Sequence, residues 1–231
     1  MDPLPTTLDL ALRGRHPGLS SGATVWLFRH GEVHEDWQGK VYGGIDVPLS
    51  AGGEADTATV ARAFCGLRPR QVLSSTLQRA RRLGEALSAA TGAPLETDAG
   101  LVEVCRGRWQ GLAVADLMAR HAEEVAAFYA DPWSFDAHGG ESDRDVLARA
   151  WPAFERGVRA VEGGLLAVAC HYNVLRVLLA RAAGISPEHS FRLRVDLAAA
   201  CLLADAPGGW VLQRCNVRHP DASLLGQEVH A

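Results

Sequence analysis

The residues best suited to handle an anion at neutral pH fall at two strand ends and one helix start. Val25-Trp26-Leu27-Phe28 is an apolar run that breaks into Arg29-His30-Gly31, and Leu165 to Cys170 is a second unbroken apolar run that delivers His171. Each run reads as a buried strand, so two histidines occupy equivalent strand ends, where open α/β sheets bind ligands. Arg79 falls in the first turn of a predicted helix from Thr76 to about Thr91, beside the positive end of its dipole. Arginine offers a fixed fork of donors for phosphate or carboxylate, and histidine can be a nucleophile or a proton carrier. Together they make a pocket for a dianion, with phosphoryl groups the natural guest. Gly31 is expected to let a ligand approach the backbone. The bland alternatives are a solvated strand end for Arg29 and His30, a helix face shared with Arg82 for Arg79, and a satisfied core histidine for His171.

The elements that must position these residues alternate. Glu32 to Ser50, with Gly39, Gly43, Gly44 and Pro48, reads as a long loop lying over the site. Ser50 caps a helix from Ala51 to Leu67, Gln71 to Leu73 forms a short strand, and Ser74-Ser75 cap the helix that carries Arg79, with Gly92 as its stop. Pro94 to Thr97 is an edge strand, Leu101 to Gly111 is irregular, and Leu112 to Tyr129 is helical. Ser142 then caps a helix to about Val161, Asn173 to Ala183 forms an apolar helix, and Ala198 to Leu203 pairs with Trp210 to Arg214 as a closing hairpin. Strands alternating with helices imply an α/β fold, a doubly wound, mostly parallel sheet with helices on both faces in three layers. Residues 1–23 read as an extension with a possible short helix at Leu8 to Leu12, and 24–231 as a single domain with a small helical lid at about 112–138.

Composition narrows the class. The chain has 231 residues, 48% apolar, enough for one well-buried core. A net charge of −4 argues against a nucleic-acid surface, and no apolar stretch reaches membrane-spanning length. Five widely spaced cysteines without a C-x-x-C pair fit reduced thiols in a cytoplasmic protein. His30 and His34 do not form H-E-x-x-H, no G-x-x-x-x-G-K-[ST] or G-x-G-x-x-G follows a strand, and no G-x-S-x-G occurs, so neither a metal site nor a cofactor is expected.

Five blocks in order resemble the histidine phosphatase superfamily, also called phosphoglycerate-mutase-like. They are Arg29-His30-Gly31, Ser74 to Ala80, Leu101-x-Glu103 with Gly107-x-Trp109-x-Gly111, Gly139 to Ser142, and Val168 to His171. The resemblance implies that His30 takes a phosphoryl group as covalent phosphohistidine, that Arg29, Arg79 and His171 bind its oxygens, and that Glu103 donates the proton to the leaving oxygen. Such a role requires burial or the arriving dianion to favour a neutral Glu103 carboxyl. An ordinary surface salt bridge to Arg106 is its bland alternative. Further substrate contacts are expected from Tyr172, Asp36, Trp37 and Gly43, and His34, Trp37, Tyr42, Trp133 and Tyr172 could line a pocket for a ring-bearing leaving group. Two departures stand out: Asp36 where the family usually has Asn, and Tyr172 where Gly commonly follows the second His.

Mutases of this family carry a long insertion between the third and fourth blocks, whereas only Leu112 to His138 lies there in this sequence. A small lid admits water, which favours hydrolysis over phosphoryl return. The resemblance therefore implies the phosphatase branch, acting on a small-molecule phosphate ester. Phe191 to Asp196 adds a loose similarity to the α-ribazole phosphatases of cobalamin synthesis, although broad specificity would look alike. A mutase-type phosphotransferase and a non-catalytic phospho-ligand sensor are the alternatives. The lid and the helix from 173 to 183 could each serve a homodimer, or simply the core.

Overall fold

Side chains that alternate faces along the first strand set the layers. The computed structural model describes residues 22–218. The Leu8 to Leu12 segment and residues 219–231 lie outside the described residues. Strand β1 (Thr24–Arg29) lies at the centre of a six-stranded sheet with β2 (Gln71–Ser75), β3 (Leu95–Asp98), β4 (Leu165–Cys170), β5 (Ala200–Ala206) and β6 (Gly209–Val217), in the order β3-β2-β4-β1-β5-β6. The pairings from β3 through β1 are parallel, and β5 and β6 close the far edge antiparallel.

Val25 and Leu27 of β1, with Leu166 and Val168 of β4, face a core completed by helices α5 (Asp143–Ala160) and α6 (Tyr172–Ala183). Trp26 and Phe28, with Ala167 and Ala169, face Val60 of α1 (Ala51–Ala63), the adjoining Phe64, and Leu83 and Leu87 of α2 (Gln78–Thr91). The layered α/β expectation is borne out, with an antiparallel edge. The apolar face of α6 is spent on the core, since Val174 to Ala180 and Ala182 are all buried.

A third cluster, Trp109, Leu117, Val125 and Phe128, sits under the lid. The single lid helix expected from Leu112 to Tyr129 is in fact two, α3 (Val114–Arg120) and α4 (Ala122–Ala130), because His121 leaves helical geometry at φ −129. That break lets both short helices fold their apolar residues onto Trp109.

Three other boundaries moved for local reasons. Helix α1 stops at Ala63 instead of Leu67, since Pro69 disfavours helical geometry at Arg68 and Gly66 lies in the turn. Ser74 and Ser75 belong to β2, and α2 is capped from the loop instead: Asp46 Oδ1 accepts the Gln78 N–H at 2.7 Å. Ala198 is not in a strand. Its φ is +55, and its N–H reaches the His30 carbonyl while Arg29 N–H reaches the Ala199 carbonyl, so this turn pins the end of β1. Ser50 does cap α1 through Gly53 N–H, and Ser142 forms a capping box with Asp145 on α5.

Among the described residues no helix is long and apolar enough to cross a membrane. All five cysteines are free, with Cys201 Sγ and Cys215 Sγ 3.5 Å apart across β5 and β6.

Candidate active site

Parallel β1 and β4 end side by side, Arg29 opposite Cys170, and so bring His30 and His171 together. Their ring centroids are 5.2 Å apart, and both side chains are buried. Burial, reinforced for both by the charges on Arg79 and Arg29 and opposed at His30 by its backbone hydrogen bond to Gly31, holds both imidazoles well below the usual histidine range, so both are neutral. His30 Nδ1 lies 2.7 Å from the carbonyl oxygen of Gly31, an atom that can only accept. In the neutral ring Nδ1 therefore carries the proton and donates it, which leaves the lone pair on Nε2.

His171 is oriented by Ser75, the last residue of β2. Ser75 Oγ accepts the Leu77 N–H at 3.2 Å and stands 2.8 Å from His171 Nε2. Ser75 can give its own proton to Nε2, so that His171 Nδ1–H remains as a donor. That Nδ1 is buried without a partner, as are the Nε atoms of Arg29 and Arg79. Buried donors are almost always satisfied, so three orphans around one imidazole pair mark a place for acceptor oxygens.

Both guanidinium groups are anchored to backbone. Arg29 Nη1 donates to Val195 O at 2.7 Å, and Arg79 donates to Ile45 O at 2.8 Å and Gly43 O at 2.7 Å. Fully buried Arg79 contrasts with Arg82, which meets Glu54 and Glu85 on the surface. Tyr42 lies 5.1 Å from Arg79 and Tyr172 5.1 Å from Arg29, each ring against a guanidinium carbon. Both phenols are pushed up by burial, so they remain neutral.

Glu103 is 6% exposed, not a surface group. Its Oε1 accepts Val104 N–H, and its Oε2 accepts both the backbone and side-chain N–H of Asn173, at 3.2 and 3.3 Å, at the start of α6. Arg106 turns to Asn173 Oδ1 at 3.1 Å.

The remaining expected contacts are placed differently. Asp36 stands on a 3-10 turn, Glu35–Trp37, with its side chain 81% exposed and 3.4 Å from His34 Nδ1. Trp37 meets Lys40, and nothing joins Asp36 or Trp37 to the histidine pair. Gly43 contributes its carbonyl to Arg79, and a Cβ there would meet Val104 O at 2.6 Å. Gly31 serves packing: a Cβ would meet Gly53 O at 2.6 Å, so the missing side chain admits the first turn of α1. Trp133 lines a cleft with Leu147, Val177 and Pro187.

Sequence reasoning missed the supports. Arg149 clamps Glu141 through both oxygens at 2.7 and 2.8 Å, and Glu141 accepts Cys105 N–H, which fixes the segment after Glu103. Arg176 and Asp143, both buried, form a two-pronged pair at 2.6 and 2.7 Å, and Arg176 also reaches Asn173 Oδ1 at 3.3 Å. Phe191 stacks on Arg176 at 4.0 Å, a structural use of the stretch after the last helix. Arg176 alone carries a signal in the sequence, a charge within an otherwise apolar helical run.

Residues 25–218 match the model of the histidine phosphatase superfamily (branch 1). The chain belongs to that superfamily. It is 29% identical over 213 residues to a 2,3-bisphosphoglycerate-dependent phosphoglycerate mutase of Chelativorans sp. (strain BNC1), which covers 89% of this chain and 97% of the relative. An adenosylcobalamin/α-ribazole phosphatase of Escherichia coli (strain K12) is 27% identical over 172 residues, 74% of this chain and 85% of the relative. The complex of a mycobacterial glucosyl-3-phosphoglycerate phosphatase with inorganic phosphate superposes with a TM-score of 0.77 at 25% identity, covering 86% of this chain and 99% of that one. Family and phosphatase relatives together bear out the expectation of a phosphatase-type enzyme.

Proposed function

We propose that the chain hydrolyses small-molecule phosphate monoesters through a covalent phosphohistidine on His30, with no metal in the reaction. The observation that carries this reading is the Nδ1 hydrogen bond of His30 to Gly31 O, which leaves a neutral Nε2 lone pair among cationic and orphaned donors. Nε2 attacks phosphorus as the ester P–O bond breaks. Arg29, Arg79 and His171 Nδ1–H take the equatorial oxygens, where charge spreads. Glu103 gives a proton to the leaving oxygen, and its carboxylate then takes one from the water that breaks the P–N bond and releases phosphate. The N–H groups of Val104 and Asn173 hold both oxygens of the Glu103 carboxyl in place.

The relatives supply candidate substrate classes: a ribazole phosphate, a glucosyl phosphoglycerate, or a phosphoglycerate. Phosphoryl return in place of hydrolysis is the second reading, favoured by the mutase relative, whose near-complete coverage leaves no room in it for a long lid insertion either. Hydrolysis of p-nitrophenyl phosphate in excess EDTA, compared between wild type and His30→Ala, tests the proposal. A rate in wild type that the variant loses is expected; a rate that survives the substitution, or that vanishes with EDTA, contradicts it. Supplying 3-phosphoglycerate with 2,3-bisphosphoglycerate separates the two readings, since hydrolysis releases inorganic phosphate and transfer yields the isomeric ester.

A further inference from the structure

At the antiparallel edge of the sheet two thiols meet that have no part in the reaction above. Strands β5 and β6 shift register between Ala200 and Leu202, and this irregularity, with Asn216 at φ +59, sets Cys215 against Cys201. Their sulfurs are 3.5 Å apart, with the Cys201 thiol donating to the Cys215 sulfur. Cys201 is buried in the core, whereas Cys215 is exposed. The hydrogen bond from Cys201, helped by the Asn216 N–H, holds the Cys215 thiol below the usual thiol range against the opposing effect of burial. The same bond, together with burial, pushes the Cys201 thiol up. Thiolate is the form that attacks an oxidant, so the more reactive sulfur belongs to the exposed residue. Cys65, the other exposed cysteine, has no such partner among the described residues.

The pair is tied to the phosphate site through one short segment. Cys215 donates its own S–H to the Arg194 carbonyl at 3.5 Å. Asn216 holds Asp196 through both ends of its amide, accepting the backbone N–H at 2.7 Å and donating to Oδ2 at 3.2 Å. Val195, between these two ties, supplies the carbonyl that anchors Arg29 Nη1 at 2.7 Å. The grip on a phosphate-binding guanidinium therefore passes through Cys215 and its neighbour.

We propose that Cys215 and Cys201 are a peroxide-sensitive pair whose reversible disulfide loosens the anchor of Arg29. The Cys215 thiolate attacks one peroxide oxygen: an S–O bond forms, the O–O bond breaks, and the departing hydroxide takes up a proton to leave as water. Cys201 Sγ then attacks the Cys215 sulfur: the S–S bond forms, the S–O bond breaks, and the hydroxyl leaves as water with the Cys201 proton. Both sulfurs are oxidised, and one hydrogen peroxide is reduced to two waters. The sulfurs must close from 3.5 Å to about 2.05 Å, and a disulfide sulfur has no hydrogen to give. Arg194 O thereby loses its donor, and the segment that holds Arg29 loses one of its ties to β6. The effect on Arg29 as a phosphate ligand rests on the phosphatase reading; the disulfide itself does not.

The full chain, reduced and then treated with hydrogen peroxide, is digested without reductant and its peptides weighed; trypsin cuts after Arg214, between the two cysteines. A peptide pair joined through Cys201 and Cys215 is expected, lighter than its parts by two hydrogens and released by dithiothreitol. It is absent in Cys215→Ser, a change at an exposed position. Calorimetric titration with inorganic phosphate reads the second half. Oxidised wild type should bind about three- to tenfold more weakly than reduced, a part of what a hydrogen bond to a charged group is worth. Dithiothreitol should restore the affinity, and peroxide should leave that of Cys215→Ser unchanged. No joined peptide, a bond from Cys215 to another cysteine, or a phosphate affinity indifferent to the disulfide overturns the inference. Reduced protein that binds no phosphate would sink the phosphatase reading along with the coupling, whereas a missing disulfide in protein that does bind phosphate sinks this inference alone.

Discussion

The two walls of the site are built by opposite means. On the sheet side, His30 and His171 are fixed by adjacent parallel strands, and Arg29 and Arg79 by backbone carbonyls, so main-chain geometry dictates where they go. On the lid side, Glu103, Asn173, Arg106, Arg176 and Asp143 hold one another through side chains from three separate segments. The first wall is rigid and suits a reaction common to many substrates. The second depends on polar partners and on a small apolar cluster, and is where selectivity can vary without loss of the chemistry.

Glu103 is the point where the lid wall meets the reaction, and Glu103→Gln should break the comparison most severely. The expected outcome is a fall in kcat of about 10²- to 10⁴-fold for alkyl esters, the usual worth of a positioned acid or base. Steady-state kinetics with glycerol 3-phosphate would check it, and a loss confined to KM would place Glu103 in binding alone. Asp143→Ala leaves Arg176 buried and uncompensated, and should cost about 3–5 kcal/mol of stability. Urea denaturation should show a lower midpoint at unchanged slope. An effect near zero would mean the lid wall does not depend on this pair.

Phe128→Ala removes the apolar cover shared by Trp109 and Arg106, for about 3 kcal/mol in stability if the lid does not collapse inward. It should raise KM more than it lowers kcat, whereas an equal loss in both would tie the lid to the chemical step. The smallest expected effect belongs to the sheet wall. Both histidines are held neutral, with folded-state pKa values below the unfolded one, so their contribution is full above about pH 6.5 and is lost as pH falls below it. Each should steepen the acid loss of stability by up to about 1.4 kcal/mol per pH unit. His171→Gln should remove its share of that slope, measured as denaturation midpoints between pH 6.5 and 5; an unchanged slope would mean His171 is not held neutral.

The same contrast explains what could be read in the sequence. Val25 to Phe28 and Leu165 to Cys170 advertise buried strands, and the residue after such a run must stand at the sheet's edge, so His30, His171 and the layer order followed directly. Arg79 followed from its place in the first turn of a helix. Asp46 as the cap of α2, Ser75 as the partner of His171, and the Asp143–Arg176 pair were not legible, because each joins residues far apart in the chain through side-chain geometry that no period encodes. Gly31 was legible as a necessity but not as to its reason, since the close approach of Gly53 exists only after α1 has packed. The expectation that Asp36 and Trp37 contact substrate came from family position, and their 3-10 turn carries Asp36 into solvent.

The central claim is that His30 Nε2 becomes phosphorylated. Rapid mixing with p-nitrophenyl phosphate in EDTA, denaturing quench and peptide mass spectrometry should reveal one phosphoryl group on the His30 peptide, labile to acid, stable to base and absent in His30→Ala. A phosphoryl group on another residue, or full turnover with none trapped on His30 at any mixing time, would contradict it.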